Sequence, residues 1–253
     1  MQKTADKRRI FFLKHAERDR NAKDPQALTP IGEITAFSMG VYLRTQFDIQ
    51  VTTVLSSPVF KCLRTGYLML SGIIGAEKVK MDDAAHYLLQ DIKSDPDIEV
   101  AGEVWDNARK HSTDNFLTVE QSLLMLPDAR LVLIKKLNHL RRLIDLKCLI
   151  PGDYLLAGLH GGVIDMAAMN YQEAYEKAGP YRHPYDLPLS FRPLGGQIEK
   201  CEGFVMTISG ERVTEFSLIR LPPVSQGSEK RPSSHMISNF GNSFFISLHF
   251  TSL

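Results

Sequence analysis

The chain has 253 residues, of which 43% are apolar and 23% charged, and its formal net charge is +1. This length suffices for one substantial hydrophobic core. The near-neutral charge excludes a global basic field that would attract nucleic acid or an acidic membrane surface, so any anion site must be a local cluster.

Cysteine usage and the start of the chain indicate the compartment. Three cysteines are too widely separated for a zinc or redox dithiol site: Cys62, Cys148 and Cys201. Such usage favours a reducing environment. The polar, basic residues 1–9 precede an apolar run of about four residues, which is too short for a secretory leader. No run reaches the ~20 apolar residues of a membrane span, so we expect a cytoplasmic protein with no membrane or nucleic-acid partner.

The N-terminal segment predicts a strand followed by a helix. A short apolar run predicts the strand over residues 9–14. Thr29 is a suitable N-cap and Pro30 suits a first helical turn, which together predict a helix over residues 30–46. Apolar residues at helical spacing predict its buried face: Ile31, Ile34, Phe37, Val41 and Tyr42. Three small residues fall close to that face and would let the helix approach the sheet: Gly32, Ala36 and Gly40.

A second strand and helix follow directly. β-branched residues predict a strand over residues 51–56. Pro58 then begins a helix that runs toward residue 72. A short strand is expected at residues 78–81, and the polar residues 82–113 are interpreted as a loop with a short helix.

The second half of the chain predicts further helices, a strand and a hairpin. The patterns follow in this order: helices over residues 119–126 and 130–148, a strand over 154–159 and a helix over 163–177. Residues 179–196 hold four prolines and indicate a structured loop. Gly210 lies in a turn between two strand-like runs, 198–209 and 212–221, and predicts a β-hairpin.

This alternation of strands and helices is typical of an α/β fold. We expect a three-layer α/β/α sandwich with a mainly parallel central sheet, formed by one domain over residues 1–221. Residues 222–253 begin rich in serine and proline and end in an apolar run, and are interpreted as a tail, either disordered or peripheral.

Two histidines follow predicted strands. His15 follows the first strand and His160 follows the strand over residues 154–159. Ligands of parallel α/β sheets bind at the carboxyl ends of the strands. Lys14 precedes the first histidine, and Lys61 lies in the helix after the second strand. Two imidazoles and two ammonium groups are therefore expected around one phosphoryl group.

Four segments of the chain come in a distinctive order: Leu13-Lys14-His15-Ala16-Glu17, Leu28-Thr29-x-x-Gly32-x-x-Thr35-Ala36, Ser56-Ser57-Pro58-x-x-Lys61 with Thr65, and Leu159-His160-Gly161-Gly162. In this order they resemble the histidine phosphatase superfamily, the phosphoglycerate mutase-like clan. The resemblance covers residues 9–221. It implies a phosphoglycerate mutase-like fold and chemistry through a phosphohistidine.

The resemblance also implies roles for individual residues. His15 would be the nucleophile that attacks phosphorus from one ring nitrogen. His160, Lys14 and Lys61 would supply positive charge to the phosphoryl oxygens, assisted by the backbone N–H of Gly161 near a helix start. This chemistry requires neither a metal nor a cofactor.

Other residues of the site stay open. Arg18 and Asn21 occupy positions where the family contacts phosphate or substrate, or else are two solvated loop residues. The leaving group needs a proton donor. Asp91 has the better family context for that role, and Glu103 is the alternative.

The chain departs from the family at two arginines. Both are lysines here, Lys14 and Lys61, and the glycine after the first histidine is Ala16. Lysine keeps the charge but loses the planar, two-pronged hydrogen bonding that suits phosphate. Retaining the charge twice favours retained anion binding.

The leading interpretation is a phosphatase that hydrolyses a phosphate monoester or a phosphohistidine, on a phosphorylated small molecule or a phosphoprotein. One alternative is a catalytically degenerate module that binds a phosphate or a phosphoprotein without chemistry. The other is mutase-type phosphotransfer, which is weakened because the Gly-Glu-Ser-x-Trp-Asn continuation is missing from the sequence.

Overall fold

Strands and helices alternate along the chain, as predicted. The computed structural model describes residues 7–19, 21–22, 27–57, 59–75, 102–180 and 190–221. Their elements are, in chain order, β1 (Lys7–Lys14), α1 (Pro30–Phe47), β2 (Val51–Ser56), α2 (Phe60–Ile74), α3 (Gly102–Asn115), α4 (Val119–Met125), α5 (Pro127–Lys147), β3 (Gly152–Leu159), α6 (Val163–Glu176), a 3₁₀ turn (Arg192–Leu194), β4 (Gly203–Ser209) and β5 (Arg212–Ile219).

Some predictions fall on other parts of the chain. The short strand expected at residues 78–81 and the tail over residues 222–253 lie outside the described residues, as does Asp91. All described residues belong to one compact unit, Met1–Leu221. Among the described helices, none combines the length and the apolar character that a bilayer crossing demands.

The central sheet has five strands in the order β2-β3-β1-β4-β5. β1 and β2 both pair in parallel with β3. β4 is antiparallel to β1, and β5 is antiparallel to β4. Only β4 therefore runs against the other strands, which confirms both the mainly parallel sheet and the C-terminal hairpin.

Side chains of β1 pack alternately into two cores, because successive residues of a strand point to opposite faces. Phe11 and Leu13 pack with buried residues of α1 and α2. Ile10 and Phe12 pack with buried residues of α3, α4, α5 and α6. Helices thus cover both faces of the sheet, and the predicted three-layer α/β/α sandwich is confirmed.

The predicted N-terminus of α1 is confirmed, but its predicted buried face is partly wrong. Thr29 Oγ1 accepts a hydrogen bond from the Gly32 N–H at 2.9 Å. Two predicted core residues are exposed, at 69% and 45%: Ile31 and Ile34. The buried residues of α1 are the three small ones expected close to that face, Gly32, Ala36 and Gly40, together with Met39 and Leu43.

The close approach of α1 to α2 explains this difference. A Cβ atom at Gly40 would lie 2.0 Å from the Met69 carbonyl oxygen, and one at Gly72 would lie 2.3 Å from the Phe37 carbonyl oxygen. The two helix backbones therefore come into contact at these two glycines. Bulky apolar residues at this contact would separate the helices.

α3 is longer than the short helix expected within residues 82–113. It spans 14 residues, and most of its surface is polar or exposed. Ala108 is its fully buried apolar residue. Because α3 buries so little apolar surface, hydrophobic spacing does not reveal its full length.

We expect Gly40→Ala to lower the free energy of unfolding by about 1–3 kcal/mol, because overpacking against a backbone carbonyl cannot be relieved by a rotamer change. Chemical denaturation measures this change. Ser38 is exposed on the same helix, and Ser38→Ala, the control, should change the free energy of unfolding by less than about 0.5 kcal/mol. Equal effects of the two substitutions would contradict the backbone contact.

Candidate active site

The backbone at the end of β1 is held from both sides. The Lys14 N–H donates to the Glu202 carbonyl at 2.9 Å, just before β4. The His15 N–H donates in the other direction, to the Leu159 carbonyl at the end of β3, at 3.1 Å. These bonds fix His15 at the carboxyl edge of the sheet, between β3 and the turn that precedes β4.

The His15 ring is buried, with 5% of its surface exposed. Its Nδ1 lies 2.7 Å from the Ala16 carbonyl oxygen. A carbonyl only accepts hydrogen bonds, so Nδ1 carries the proton and Nε2 is the unprotonated nitrogen. Nε2 lies 3.2 Å from the Lys200 Nζ, which donates to it.

His160 follows β3 and packs against the first histidine. The ring centroids of His15 and His160 are 5.7 Å apart, in an edge-to-face arrangement. The Nε2 of His160 lies 3.1 Å from Ser57 Oγ and 3.6 Å from Cys62 Sγ. Ser57 follows β2 and Cys62 lies in the first turn of α2. The end of β2 and the start of α2 therefore both contact His160.

Gly158 permits that close approach. Its φ is +73°, and a Cβ atom there would lie 2.6 Å from the Cα of Cys62. Any side chain at this position would push the start of α2 away from the end of β3. The glycine therefore brings α2 within reach of His160.

His160 and Gly161 lie at the N-terminus of α6. The Ile164 N–H donates to the His160 carbonyl at 3.2 Å. The N-terminus of a 14-residue helix carries a partial positive charge that favours an anion. A Cβ atom at Gly161 would lie 2.4 Å from Glu120 Oε1, so Gly161 packs directly against that carboxylate.

Lys61 acts on the two histidines through its charge. It lies, half-buried, in the first turn of α2. Its charge contributes to the lowered pKa of both His15 and His160.

The histidines are neutral at neutral pH. Burial lowers the pKa of His15 to about 2, and the charges of Lys200 and Lys61 contribute to this shift. Burial likewise lowers the pKa of His160 to about 3, again with Lys61 and Lys200 contributing. The site therefore has an excess of positive charge even with both imidazoles uncharged.

Lys14 is placed differently from Lys61. Its side chain is 1% exposed, and its Nζ donates to the Ile198 carbonyl at 2.7 Å and lies 3.4 Å from Glu120 Oε1. Alternation along β1 explains this, because Lys14 points to the same face as Phe12, beneath α4 and α6. Lys14 thus lies beside the turn that carries Lys200.

Lys200 is a site residue that the sequence analysis missed. It lies in the turn before β4. Hydrogen bonds to carboxylates hold the backbone of this turn. The Ile198 N–H donates to Asp165 Oδ1 at 2.8 Å, and the Glu199 N–H donates to Glu202 Oε2 at 3.0 Å. No motif marks this turn, and Lys200 is 185 residues from His15 in sequence. Only the strand order brings the two together.

Arg18 and Asn21 line an open cavity of about 360 Å³ beside Lys200. The remaining lining residues are Glu17, Asp19 and Thr29. The Asn21 N–H donates to Asp19 Oδ1 at 2.8 Å. A cavity of this volume is large enough for a small organic group.

Of the two predicted proton donors, one lies among the described residues. Asp91 lies outside the described residues, and Glu103 is exposed in the first turn of α3. Glu120, which the sequence analysis also missed, is the carboxylate that pairs with Lys14. Within the described ranges, no group of three or more His, Cys, Asp or Glu side chains is placed to hold a metal ion.

Comparison with solved structures identifies the fold. The structure of phosphoglycerate mutase from Bacillus anthracis matches with a TM-score of 0.50, over 86% of this chain and 93% of that chain, at 12% sequence identity. The chain has the phosphoglycerate mutase-like fold. This confirms, at the level of the fold, the resemblance to the histidine phosphatase superfamily.

Two phosphatase structures are also similar. Ecdysone phosphate phosphatase from Bombix mori, in complex with tungstate, matches at 14% identity over 89% of this chain and 98% of that chain, with a TM-score of 0.47. A mycobacterial glucosyl-3-phosphoglycerate phosphatase matches at 15% identity over 84% and 97%, with a TM-score of 0.45. No protein-family model matches the sequence, and no curated protein matches it.

The histidines predict a loss of stability in acid. An unfolded histidine takes up a proton below about pH 6.5, whereas folded His15 and His160 do so only near pH 2 and pH 3. The unfolded chain therefore binds more protons between these values, and the free energy of unfolding falls as the pH falls from about 6.5. Each histidine contributes a slope of at most about 1.4 kcal/mol per pH unit.

Chemical denaturation at a series of pH values measures this slope. His15→Asn removes one of the two groups and should flatten the slope between about pH 6 and pH 4. An unchanged slope in this variant would show that His15 is protonated in the folded protein.

The two lysines should respond differently to arginine. Lys14→Arg places a larger group in a fully buried position and should lower the free energy of unfolding by about 1–3 kcal/mol. Lys61→Arg, at a half-buried position, should change it by less than about 0.5 kcal/mol. Thermal and chemical denaturation measure both, and similar losses for the two variants would contradict the burial difference.

Proposed function

We propose that this chain is a phosphatase that hydrolyses a phosphate monoester or a phosphohistidine through a phosphohistidine intermediate on His15. The observation that carries the proposal is the state of that ring. Its Nδ1–H is held by the Ala16 carbonyl, so its unprotonated Nε2 points at the cationic part of the site. The low pKa of His15 keeps this nitrogen available as a nucleophile at neutral pH.

Two displacements at phosphorus complete the reaction. In the first, Nε2 of His15 attacks and a new P–N bond forms, while the P–O bond of an ester substrate, or the P–N bond of a phosphohistidine substrate, breaks and the leaving oxygen or nitrogen takes up a proton. In the second, water attacks phosphorus and the P–N bond breaks. This step releases inorganic phosphate and restores neutral His15.

Positive charge around the nucleophile suits the transferred group. Phosphoryl transfer needs alignment and stabilisation of the equatorial oxygens more than covalent assistance. We assign stabilisation of these oxygens to Lys61, His160 and the N–H of Gly161 at the start of α6. The buried charge of Lys14 contributes to the positive potential of the site. Burial lowers the pKa of His160, and the charges of Lys61 and Lys200 lower it further; a bound dianion offsets those charges and so raises this pKa.

Leaving-group contacts are proposed on the cavity side. Arg18 and Asn21 line the cavity beside Lys200 and are assigned to the part of the substrate that departs. Asp91 keeps its proposed role as proton donor. An aryl phosphate or a phosphohistidine has a good leaving group and does not need that acid.

The second candidate function is a degenerate module that binds a phosphorylated ligand without chemistry. One observation favours it: Lys14, which replaces an arginine of the family motif, is engaged by Ile198 and Glu120. A pocket with lysine in place of arginine retains the charge that binds phosphate. It loses the two parallel hydrogen bonds by which a guanidinium group orients the phosphoryl oxygens.

Loss of the nucleophile separates the two candidates. We expect His15→Ala to reduce phosphate release from a chromogenic aryl phosphate by about 10³-fold or more. His111 pairs with Ser122 between α3 and α4, and His111→Ala is the matched control, with turnover near that of the unaltered protein. Unchanged turnover in His15→Ala would reject the assigned nucleophile.

Trapping gives an independent readout. Rapid acid-free quenching of the unaltered protein with labelled substrate should capture an acid-labile phosphoenzyme that is missing from His15→Ala. Binding of phosphate without any phosphoenzyme, under conditions where the protein is folded, would favour the degenerate module instead.

A further inference from the structure

We propose that Lys200 is a catalytic cation of this site, which donates to His15 Nε2 in the free protein and transfers its hydrogen bond to a phosphoryl oxygen when an anion binds. This inference rests on the proposed function and adds to it a residue from outside the recognised motifs. Lys200 would supply part of the hydrogen bonding that is lost with the family arginines.

The position of the ammonium group carries the proposal. Lys200 Nζ lies 3.2 Å from His15 Nε2, the nitrogen that would bond to phosphorus. A phosphorus atom bonded to Nε2 would occupy the space that the ammonium group now fills. The ammonium group must therefore move aside, and the nearest new acceptors it meets are the phosphoryl oxygens.

Hydrogen bonds hold the backbone on both sides of Lys200, whose long side chain is half-buried. Before it, the Ile198 N–H donates to Asp165 and the Glu199 N–H donates to Glu202; after it, the Glu202 carbonyl accepts from the Lys14 N–H. The following residue, Cys201, is buried and has a φ of +60°, a conformation that persists only where the surroundings determine it. The lysine side chain has four carbons between its backbone and its ammonium group. A change of its rotamer can therefore move the ammonium group from His15 Nε2 to a phosphoryl oxygen while the turn stays in place.

Charged groups on four segments act on the ammonium group of Lys200. Three of them are cations: Lys14 at the end of β1, Lys61 in α2 and Arg18 in the loop after β1. Glu120 of α4 is the carboxylate that opposes them. Burial and these cations lower the pKa of Lys200 to about 8, so the group is charged at pH 7 and loses its proton as the pH rises above about 8. His15, its hydrogen-bond partner, is neutral throughout this range.

Lys200 also borders the cavity next to the site. It lines the same 360 Å³ space as Arg18 and Asn21. Lys200 therefore lies between the nucleophile and the space assigned to the leaving group. This is the position of a cation that contacts the phosphoryl group during transfer.

Sulfate binding tests the cation without requiring turnover. Sulfate remains a dianion from pH 6 to pH 10, so its own ionisation does not affect the titration. Isothermal titration at pH 7 should give about tenfold or greater weakening for Lys200→Met, and only a small change for Lys200→Arg. Lys135 is exposed on α5, and Lys135→Met is the matched control, with unchanged sulfate affinity.

The pH dependence distinguishes a titrating cation from a structural role. Sulfate affinity of the unaltered protein should fall between pH 7 and pH 9.5, with a midpoint near or somewhat above 8, because the bound anion favours the charged form. Lys200→Arg should bind sulfate with no such transition, since arginine stays charged. A transition that persists in Lys200→Arg would overturn the assignment.

NMR of the His15 ring gives a further readout. Lys200→Met removes both a hydrogen bond to Nε2 and a nearby charge, so the pKa of His15 should rise above about 2 and the Nε2 resonance should shift. Lys135→Met should change neither. In folded Lys200→Met, wild-type sulfate affinity would overturn the proposal, and so would an unshifted His15 resonance.

These outcomes separate the inference from the proposed function. Loss of turnover in His15→Ala with normal sulfate binding in Lys200→Met would support the phosphatase function and reject the role of Lys200. Loss of sulfate affinity in Lys200→Met, with no phosphoenzyme in the unaltered protein, would support Lys200 as an anion-binding residue and reject the phosphatase function.

Discussion

The position of β1 in the middle of the sheet determines the whole site. β1 lies between β3 and β4, and the consecutive N–H groups of Lys14 and His15 donate to opposite sides. One side of His15 is therefore held near His160, which follows β3, and the other near Lys200, which precedes β4. A shift of β1 by one residue would exchange its two faces and disperse all of these groups.

Buried positive charge is the main electrostatic property of the site. The charges of Lys61 and Lys200 act on two uncharged imidazoles, Lys14 lies buried beside the turn that carries Lys200, and Glu120 is the carboxylate that offsets these cations in part. Burying cations together disfavours their charged forms, which is why the pKa of Lys200 is lowered. A dianion that enters the site relieves this repulsion, and because it binds the folded state alone it also stabilises the fold.

Helix packing links the layer of α1 and α2 to the chemistry. α1 and α2 touch through Gly40 and Gly72, and the start of α2 touches the end of β3 through Gly158. The N-terminal turn of α2 therefore packs against His160. Its Cys62 contacts the His160 ring, and the charge of its Lys61 contributes to the lowered pKa of that ring. Close backbone contacts, rather than large side chains, position this part of the site.

Much of the fold and part of the site are determined by the sequence alone. Short-range periodicity indicates β1, β2, β3, the helices that follow them and the C-terminal hairpin, and motif order brings His15 and His160 to one edge. Tertiary structure alone decided that Lys14 is buried against Glu120, that Lys200 reaches His15, and that Ile31 of α1 is exposed. The physical reason is that periodicity reports which residues of one element share a face, whereas strand order and close packing decide which distant element that face meets.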